Sequence, residues 1–185
     1  MKTLDDIVNR YYEVILEYER YLEKYQNKNE KNSYDSQNED LFKIFNNTIK
    51  SIYEKDYMPW RNIKGDIKEE LKKDFMNRNK LIPYLKAEDA IYDNLFSLIE
   101  KDLFSYYSKK GFNINGDDMK IKINEEACDY CLGVSLDLNK FSEESLCLKK
   151  ILNKLKDVCG DIYKIYNGEY VFDNNEGEIE IDELR

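Results

Sequence analysis

Apolar and aromatic residues recur at helical spacing through the first 110 residues of the chain. The row from Ile7 to Tyr25 advances by three or four positions at each step, which is the period of an amphipathic helix. Thr3 precedes this row as an N-cap candidate, and two acidic residues follow it in the first turn. Rows of this kind predict four helices, over residues 3–25, 39–57, 67–75 and 87–109. The sequence therefore predicts a helical domain over residues 1–110, with breaks at Pro59 and Pro83.

The spacing of apolar residues changes from helical to alternating after Gly111. Residues 119–123 alternate as a half-buried strand does, and residues 132–138 form a second, less regular candidate. A helix is then expected from Ser142, as its N-cap, to Gly160, where it should stop.

The last part of the sequence has the pattern of a short β-meander. Strands are predicted over residues 162–166, 169–172 and 178–181. The dipeptide Asn167-Gly168 lies between the first two, and it is a strong hairpin signal because both central positions of a type I′ turn need positive φ. We therefore expect a β-β-α-β-β-β domain over residues 111–185. The whole chain is predicted to be an α+β protein, with an N-terminal four-helix bundle followed by a small antiparallel sheet with one packed helix.

The composition excludes several classes of enzyme. The 185 residues include no His, so catalysis by Ser-His-Asp or Cys-His arrangements cannot occur within this chain. None of the 7 Gly residues falls in a dinucleotide-binding or P-loop motif. Acidic pairs such as Glu125 and Glu126 leave a carboxylate or divalent-metal mechanism open, but no pair stands out from the others. We expect a protein that is not an enzyme, with no catalytic residues and no cofactor.

The four cysteines do not have the spacing of a structural zinc site. Cys128 and Cys131 form one C-x-x-C pair, but Cys147 and Cys159 lie at opposite ends of a predicted helix. A rise of about 1.5 Å per residue separates these two by about 18 Å, which is too far for a shared ion. We expect four reduced thiols and no metal site.

The N-terminus and the lengths of the apolar runs indicate where in the cell the protein is expected. The N-terminus has no apolar core of the kind that a secretory signal contains. No apolar run reaches the roughly 18 residues needed to span a bilayer. The expectation is a cytoplasmic protein with no membrane partner.

Tyrosine is unusually abundant, with 16 residues in the chain. The first helix alone carries five, which is too many for every hydroxyl to find a buried partner. Tyrosines at the rim of a core offer large contact area at small entropic cost, so we interpret Tyr18 and Tyr25 as candidate partner-binding residues. The alternative is a tyrosine-rich core edge with no binding role.

The negative charge is concentrated towards the C-terminus. Residues 1–110 contain 20 basic and 21 acidic side chains, whereas residues 111–185 contain 9 and 17. The acidic candidates for partner binding are Asp173, Glu176, Glu178, Glu180, Asp182 and Glu183. On a strand, Glu178, Glu180 and Asp182 would share one face at a repeat of about 6.6 Å, close to the phosphate spacing of a nucleic-acid strand. The alternative is that these charges only protect an exposed edge strand from pairing with other chains.

These features favour a binding role. The leading hypothesis is an acidic binding protein that inhibits a basic protein or nucleoprotein partner, such as a nuclease toxin, as an immunity protein does, or a nucleic-acid-handling defence complex, as a phage anti-defence or anti-CRISPR-type inhibitor does. The alternative is a structural or adaptor subunit of a larger assembly. Direct binding of nucleic acid is not expected, because a negative surface repels phosphate. The sequence does not specify an oligomeric state.

Overall fold

The computed structural model describes residues 2–26, 58–134, 137–172 and 181–183. Five α-helices occupy most of these ranges: α1 Leu4–Gln26, α2 Ile67–Phe75, α3 Ile82–Lys109, α4 Asp117–Cys131 and α5 Glu143–Tyr166. Short 3-10 helices cover Pro59–Asn62, Arg78–Lys80 and Leu138–Lys140. Strands β1 Tyr170–Phe172 and β2 Ile181–Glu183 pair in antiparallel orientation. The predicted helix over residues 39–57 lies outside the described residues.

The predicted α+β fold class is therefore wrong. Within the described ranges the chain is mostly helical, and the only strand pairing there joins two segments of three residues each. Helix α5 packs against both α1 and α3, and α4 packs against α3. One apolar core includes side chains from both sides of position 110. The division into two domains at that position stays a prediction of the sequence.

The start of α1 agrees with the prediction. The Thr3 hydroxyl accepts a hydrogen bond from the Asp6 backbone N–H at 3.1 Å, and the Asp6 carboxylate accepts one from the Thr3 N–H at 3.4 Å. This reciprocal pair satisfies two backbone donors at the helix end. Helix α2 is confirmed over the predicted residues. Helix α3 begins at Ile82 rather than at residue 87, because Pro83 fits the first helical turn, where no N–H is needed.

The strand predicted over residues 119–123 is wrong because it lies in α4. An alternating run of five residues is too short to separate a strand from a helix. The buried residues of α4 instead follow a helical repeat, with Ile123, Ala127 and Tyr130 inside and Ile121 58% exposed. The second predicted strand, over residues 132–138, is also wrong in its described part. There the chain turns after α4 and enters a 3-10 helix at Leu138.

The strand predicted over residues 162–166 is wrong because α5 continues through Gly160 to Tyr166. Ser142 caps this helix as predicted, accepting the Ser145 N–H at 3.2 Å. Beyond Gly160, Ile162 and Ile165 are buried and extend the apolar face of the helix, so packing outweighs the low helix propensity of glycine.

The dipeptide Asn167-Gly168 ends a helix and does not form a hairpin turn. Gly168 has φ +79°, its N–H donates to the Ile165 carbonyl at 3.1 Å, and the Glu169 N–H donates to the Lys164 carbonyl at 2.8 Å. This pair of hydrogen bonds is the Schellman arrangement, which also requires positive φ. The strand predicted at residues 169–172 is confirmed as β1, whereas β2 begins at Ile181. Residues 178–180 of the last predicted strand lie outside the described residues.

Alanine substitutions at the two glycines should have opposite effects on stability. Gly160 lies inside α5 with nothing within 4 Å of an added Cβ, so Gly160→Ala should raise the free energy of unfolding, by roughly 0.5–1 kcal/mol. Gly168→Ala should lower it by roughly 1–2 kcal/mol, because φ +79° is strained for alanine. Urea unfolding followed by circular dichroism measures both. A loss of stability in Gly160→Ala would contradict an uninterrupted α5.

Candidate functional site

A surface groove runs between the C-terminal half of α1 and the N-terminal half of α5. Its volume is about 500 Å³, within the range of small-molecule sites. The two helices are antiparallel, since Arg10 contacts Asp161 and Glu17 contacts Lys154. The residues that line the groove are Glu17, Arg20, Tyr21, Lys24, Tyr25, Cys147, Lys150, Ile151, Asn153 and Lys154.

The floor of the groove is apolar and aromatic. Tyr21 and Ile151 are buried, while Tyr25 is half-buried. The Tyr21 ring contacts the Tyr25 ring at a centroid distance of 5.1 Å, and its hydroxyl donates to the Glu144 carboxylate at 3.1 Å. These contacts hold Tyr21 in place and leave part of the Tyr25 ring facing solvent.

The rim of the groove is basic. Arg20 and Lys24 are one helical turn apart on α1, and Lys150 and Lys154 are one turn apart on α5. Lys154 binds Glu17 at 2.6 Å, but Arg20, Lys24 and Lys150 form no ion pair with another described residue. The Lys24 ammonium lies 5.1 Å from the centre of the Tyr25 ring. Four cations and one carboxylate thus line a groove in a protein whose net charge is −9.

The paired strands are anchored at the other end of the α1–α5 pair. The buried Asp161 carboxylate accepts hydrogen bonds from Lys2 at 2.8 Å, from Arg10 and from the Tyr170 hydroxyl at 3.3 Å. Lys164 donates to the same hydroxyl at 3.2 Å. Burial alone would raise the pKa of Asp161, but the hydrogen bonds from Arg10 and Lys2 outweigh it and lower that pKa. This network fixes β1 against α5.

The acidic candidate residues are only partly within the described ranges. Asp182 pairs with Val171, and Glu183 pairs with Tyr170, across the two strands. Asp173, Glu176, Glu178 and Glu180 lie outside the described residues. The structure therefore brings the backbone of two of the six candidates to the anchored strand pair.

The two tyrosine candidates differ in exposure. Tyr18 is 0% exposed and packs edge-on against Trp60, with a centroid distance of 6.3 Å, so it belongs to the core of this structure, and its role in partner binding stays a prediction. Tyr25 is half-buried and lines the groove. The helical spacing placed both on one side of α1 but did not show which of them α5 and Trp60 cover.

The four cysteines are unpaired thiols. Burial raises the pKa of Cys159, and the neighbouring Glu88 raises it further. Burial also raises the pKa of Cys131 and of Cys147, although Lys24 and Lys150 act in the opposite direction on Cys147. Thiols of this kind stay protonated near neutral pH and are weak nucleophiles. Across the described part of the chain, no group of three His, Cys, Asp or Glu side chains is arranged to hold a metal ion.

A polar cluster that the sequence did not indicate joins α3, α4 and the third 3-10 helix. The Tyr107 hydroxyl donates to the Glu126 carboxylate at 2.5 Å, and Lys140 donates to the Tyr107 oxygen at 3.0 Å. Tyr107 is 4% exposed. The phenol is therefore shielded from solvent, and the cluster holds α3, α4 and the third 3-10 helix together. Its members come from three separate elements, so no local spacing could reveal it.

No family model, curated protein or solved structure matches this chain in the comparisons. Among the described helices, none combines the length and the apolar content that crossing a membrane requires.

Proposed function

We propose that this chain is a non-enzymatic, cytoplasmic binding protein whose acidic C-terminal segment holds a basic protein or nucleoprotein partner. The observation that supports this is the anchoring of the strand pair on α5. Asp161, Tyr170 and Lys164 fix β1 against α5. Strand β1 in turn pairs with β2, which contains Asp182 and Glu183. A strand pair whose first strand is attached to a helix loses less entropy on binding than a free tail does.

The chemistry of the segment suits inhibition of a nucleic-acid-handling partner. Residues 173–185 contain six carboxylates and one basic residue, Arg185. Such a segment can occupy a basic groove that otherwise holds phosphate, and opposite charge speeds the encounter. A nuclease toxin bound by an immunity protein and a defence complex bound by a phage inhibitor both fit this chemistry.

A second candidate, an adaptor subunit, is favoured by a different observation. The groove that contains Tyr25 combines an aromatic floor with a cationic rim, and tyrosine and arginine are enriched at protein interfaces. In that case Tyr25 and Arg20 would carry the binding, and the acidic segment would contribute solubility.

Charge reversal separates the two candidates. We expect the tagged protein to retain a basic partner from host lysate, and the double variant Glu178→Lys, Glu180→Lys to weaken that binding by roughly tenfold or more at low salt, with a smaller loss at high salt. The matched control reverses Glu69 and Glu125, two exposed acids on α2 and α4, with the same change in net charge. Partner retention is read by mass spectrometry, and its nuclease activity is measured with and without the protein.

Two results would count against the inhibitor proposal. Equal losses of partner binding in the Glu178→Lys, Glu180→Lys variant, called the tail variant, and in the control would show a general effect of charge. Loss of the partner in Tyr25→Ala, with the tail variant unaffected, would favour the adaptor.

A further inference from the structure

We infer that the groove between α1 and α5 binds a free nucleotide, with the phosphates on the cationic rim and the base on the aromatic floor. The residues that line this site do not include any of the acidic candidates, and the inference does not depend on the proposed inhibitor function. Its occupant is a small phosphorylated ligand and not a second macromolecule.

The rim provides the charge for a compact phosphate group. Arg20 and Lys24 approach from α1, and Lys150 approaches from α5, so cations flank the groove on both sides. None of these three forms an ion pair with another described residue, so no carboxylate of the described ranges would have to be displaced by a phosphate. Hydrogen bonds between such cations and phosphate oxygens are short and roughly twice as strong as neutral ones. Arg20 can also bind a phosphate through two N–H groups at once.

The floor provides the surface for a flat ring. Tyr25 is half-buried, and Ile151 is 3% exposed directly beneath the groove. Stacking of a base on an aromatic side chain is favourable and tolerates any base, because every base has a flat π-face. Lys24 lies over the Tyr25 ring at 5.1 Å, and its flexible stem can turn towards a phosphate when a base takes that place.

Carboxylates at both ends of the groove favour a short ligand over a long polyanion. Glu144 lies one turn before Cys147 and binds the Tyr21 hydroxyl. Asp157, 81% exposed, lies one turn beyond Lys154. The positive region on α5, from Cys147 to Lys154, is about 10 Å long at the helical rise. A nucleic-acid strand that extended beyond it would meet these acids, whereas a single nucleotide would meet only Glu17, which is already bound to Lys154.

The inference is tested by calorimetric titration of the full-length protein with ATP and AMP at low ionic strength. We expect saturable binding that weakens as salt rises. The double variant Arg20→Gln, Lys150→Gln should lower the affinity by roughly tenfold or more, and Tyr25→Ala should lower it for nucleotides but not for inorganic triphosphate. The matched control, Lys86→Gln with Lys120→Gln, removes two exposed cations from α3 and α4 and should bind as the parent does.

Each other outcome overturns the inference. No binding to ATP or AMP at millimolar concentration, or equal losses in the groove variant and the control, would show that the groove is not the site. Equal affinity for triphosphate and ATP would show that no base is held. Tighter, groove-dependent binding of a ten-residue oligothymidylate or of a peptide of residues 173–185 would assign the groove to a strand or to an acidic segment. Thermal unfolding of each variant separates loss of binding from loss of fold.

Discussion

Replacing Tyr11 with alanine should lower the free energy of unfolding by about 3–5 kcal/mol, the range observed when a large buried aromatic is removed. Tyr11 is 0% exposed, and its ring contacts Trp60, Phe75 and Tyr84 edge-on at centroid distances of 6.0, 5.5 and 5.6 Å. It thus joins α1 to the first 3-10 helix, to α2 and to α3. A cavity at this position removes contacts from all four elements at once.

Two further variants separate the ring of Tyr11 from its hydroxyl. The Tyr11 hydroxyl donates to the Tyr84 carbonyl at 3.0 Å, so Tyr11→Phe should cost only about 1 kcal/mol. Tyr163 on α5 is 49% exposed, and Tyr163→Ala should change stability by less than about 0.5 kcal/mol. Urea unfolding followed by circular dichroism measures all three. Similar losses at Tyr11 and Tyr163 would contradict the position of Tyr11 at the centre of the core.

The second large effect is expected at Asp161, whose carboxylate is 4% exposed. Asp161→Asn leaves Lys2 and Arg10 without their buried counter-charge and should destabilise the protein by about 2–3 kcal/mol, below the usual range for a broken buried pair. The expected loss of stability is smaller than usual because the Lys2 and Arg10 side chains are 54% and 33% exposed and can be hydrated when the carboxylate is removed. The Asp161 network also fixes β1, so the strand pair should loosen in this variant.

This effect should depend on pH in a defined direction. The pKa of Asp161 is lowered in the folded protein, so its contribution to stability is present above the ordinary aspartate pKa of about 4 and is lost as pH falls through the folded value. The difference between parent and Asp161→Asn should therefore stay constant from pH 7 to pH 5 and shrink below pH 4. Asp157→Asn is the matched control, since Asp157 also binds Arg10 but is 81% exposed, and it should cost less than about 1 kcal/mol. A difference that persists unchanged at pH 3 would contradict this account.

The sequence predicted the elements whose signals are long or have a specific cap. Helix α1 has six turns of regular spacing, and α5 has the Ser142 cap, so both were located correctly at their starts. The predictions that were wrong depended on short patterns, each of which two different local structures can produce. Met119–Ile123 alternates over only five residues, and Gly168 supplies a positive φ that a hairpin and a Schellman motif use equally.

The groove could not be predicted because it depends on tertiary pairing. The pairs Arg20 and Lys24, and Lys150 and Lys154, are visible in the sequence as cations one turn apart. Nothing in their spacing shows that α1 and α5 lie antiparallel or that both pairs face the same side. The net charge of −9 predicts an acidic surface, and it gives no indication of a local basic site.

The arrangement of charge along α1 and α5 has a consequence for how the molecule moves in solution. The basic groove lies near one end of the helix pair, and β2, with Asp182 and Glu183 in its sequence, lies near the other. Among the described residues, cations therefore cluster near one end of the helix pair, and the backbone of two acidic residues lies near the other. A charged partner would attract these two ends differently, which favours encounters that begin with one particular end forward. Which end leads is set by the sign of the partner's field, and this orientation would be lost at ionic strengths where the Debye length falls below the size of the protein.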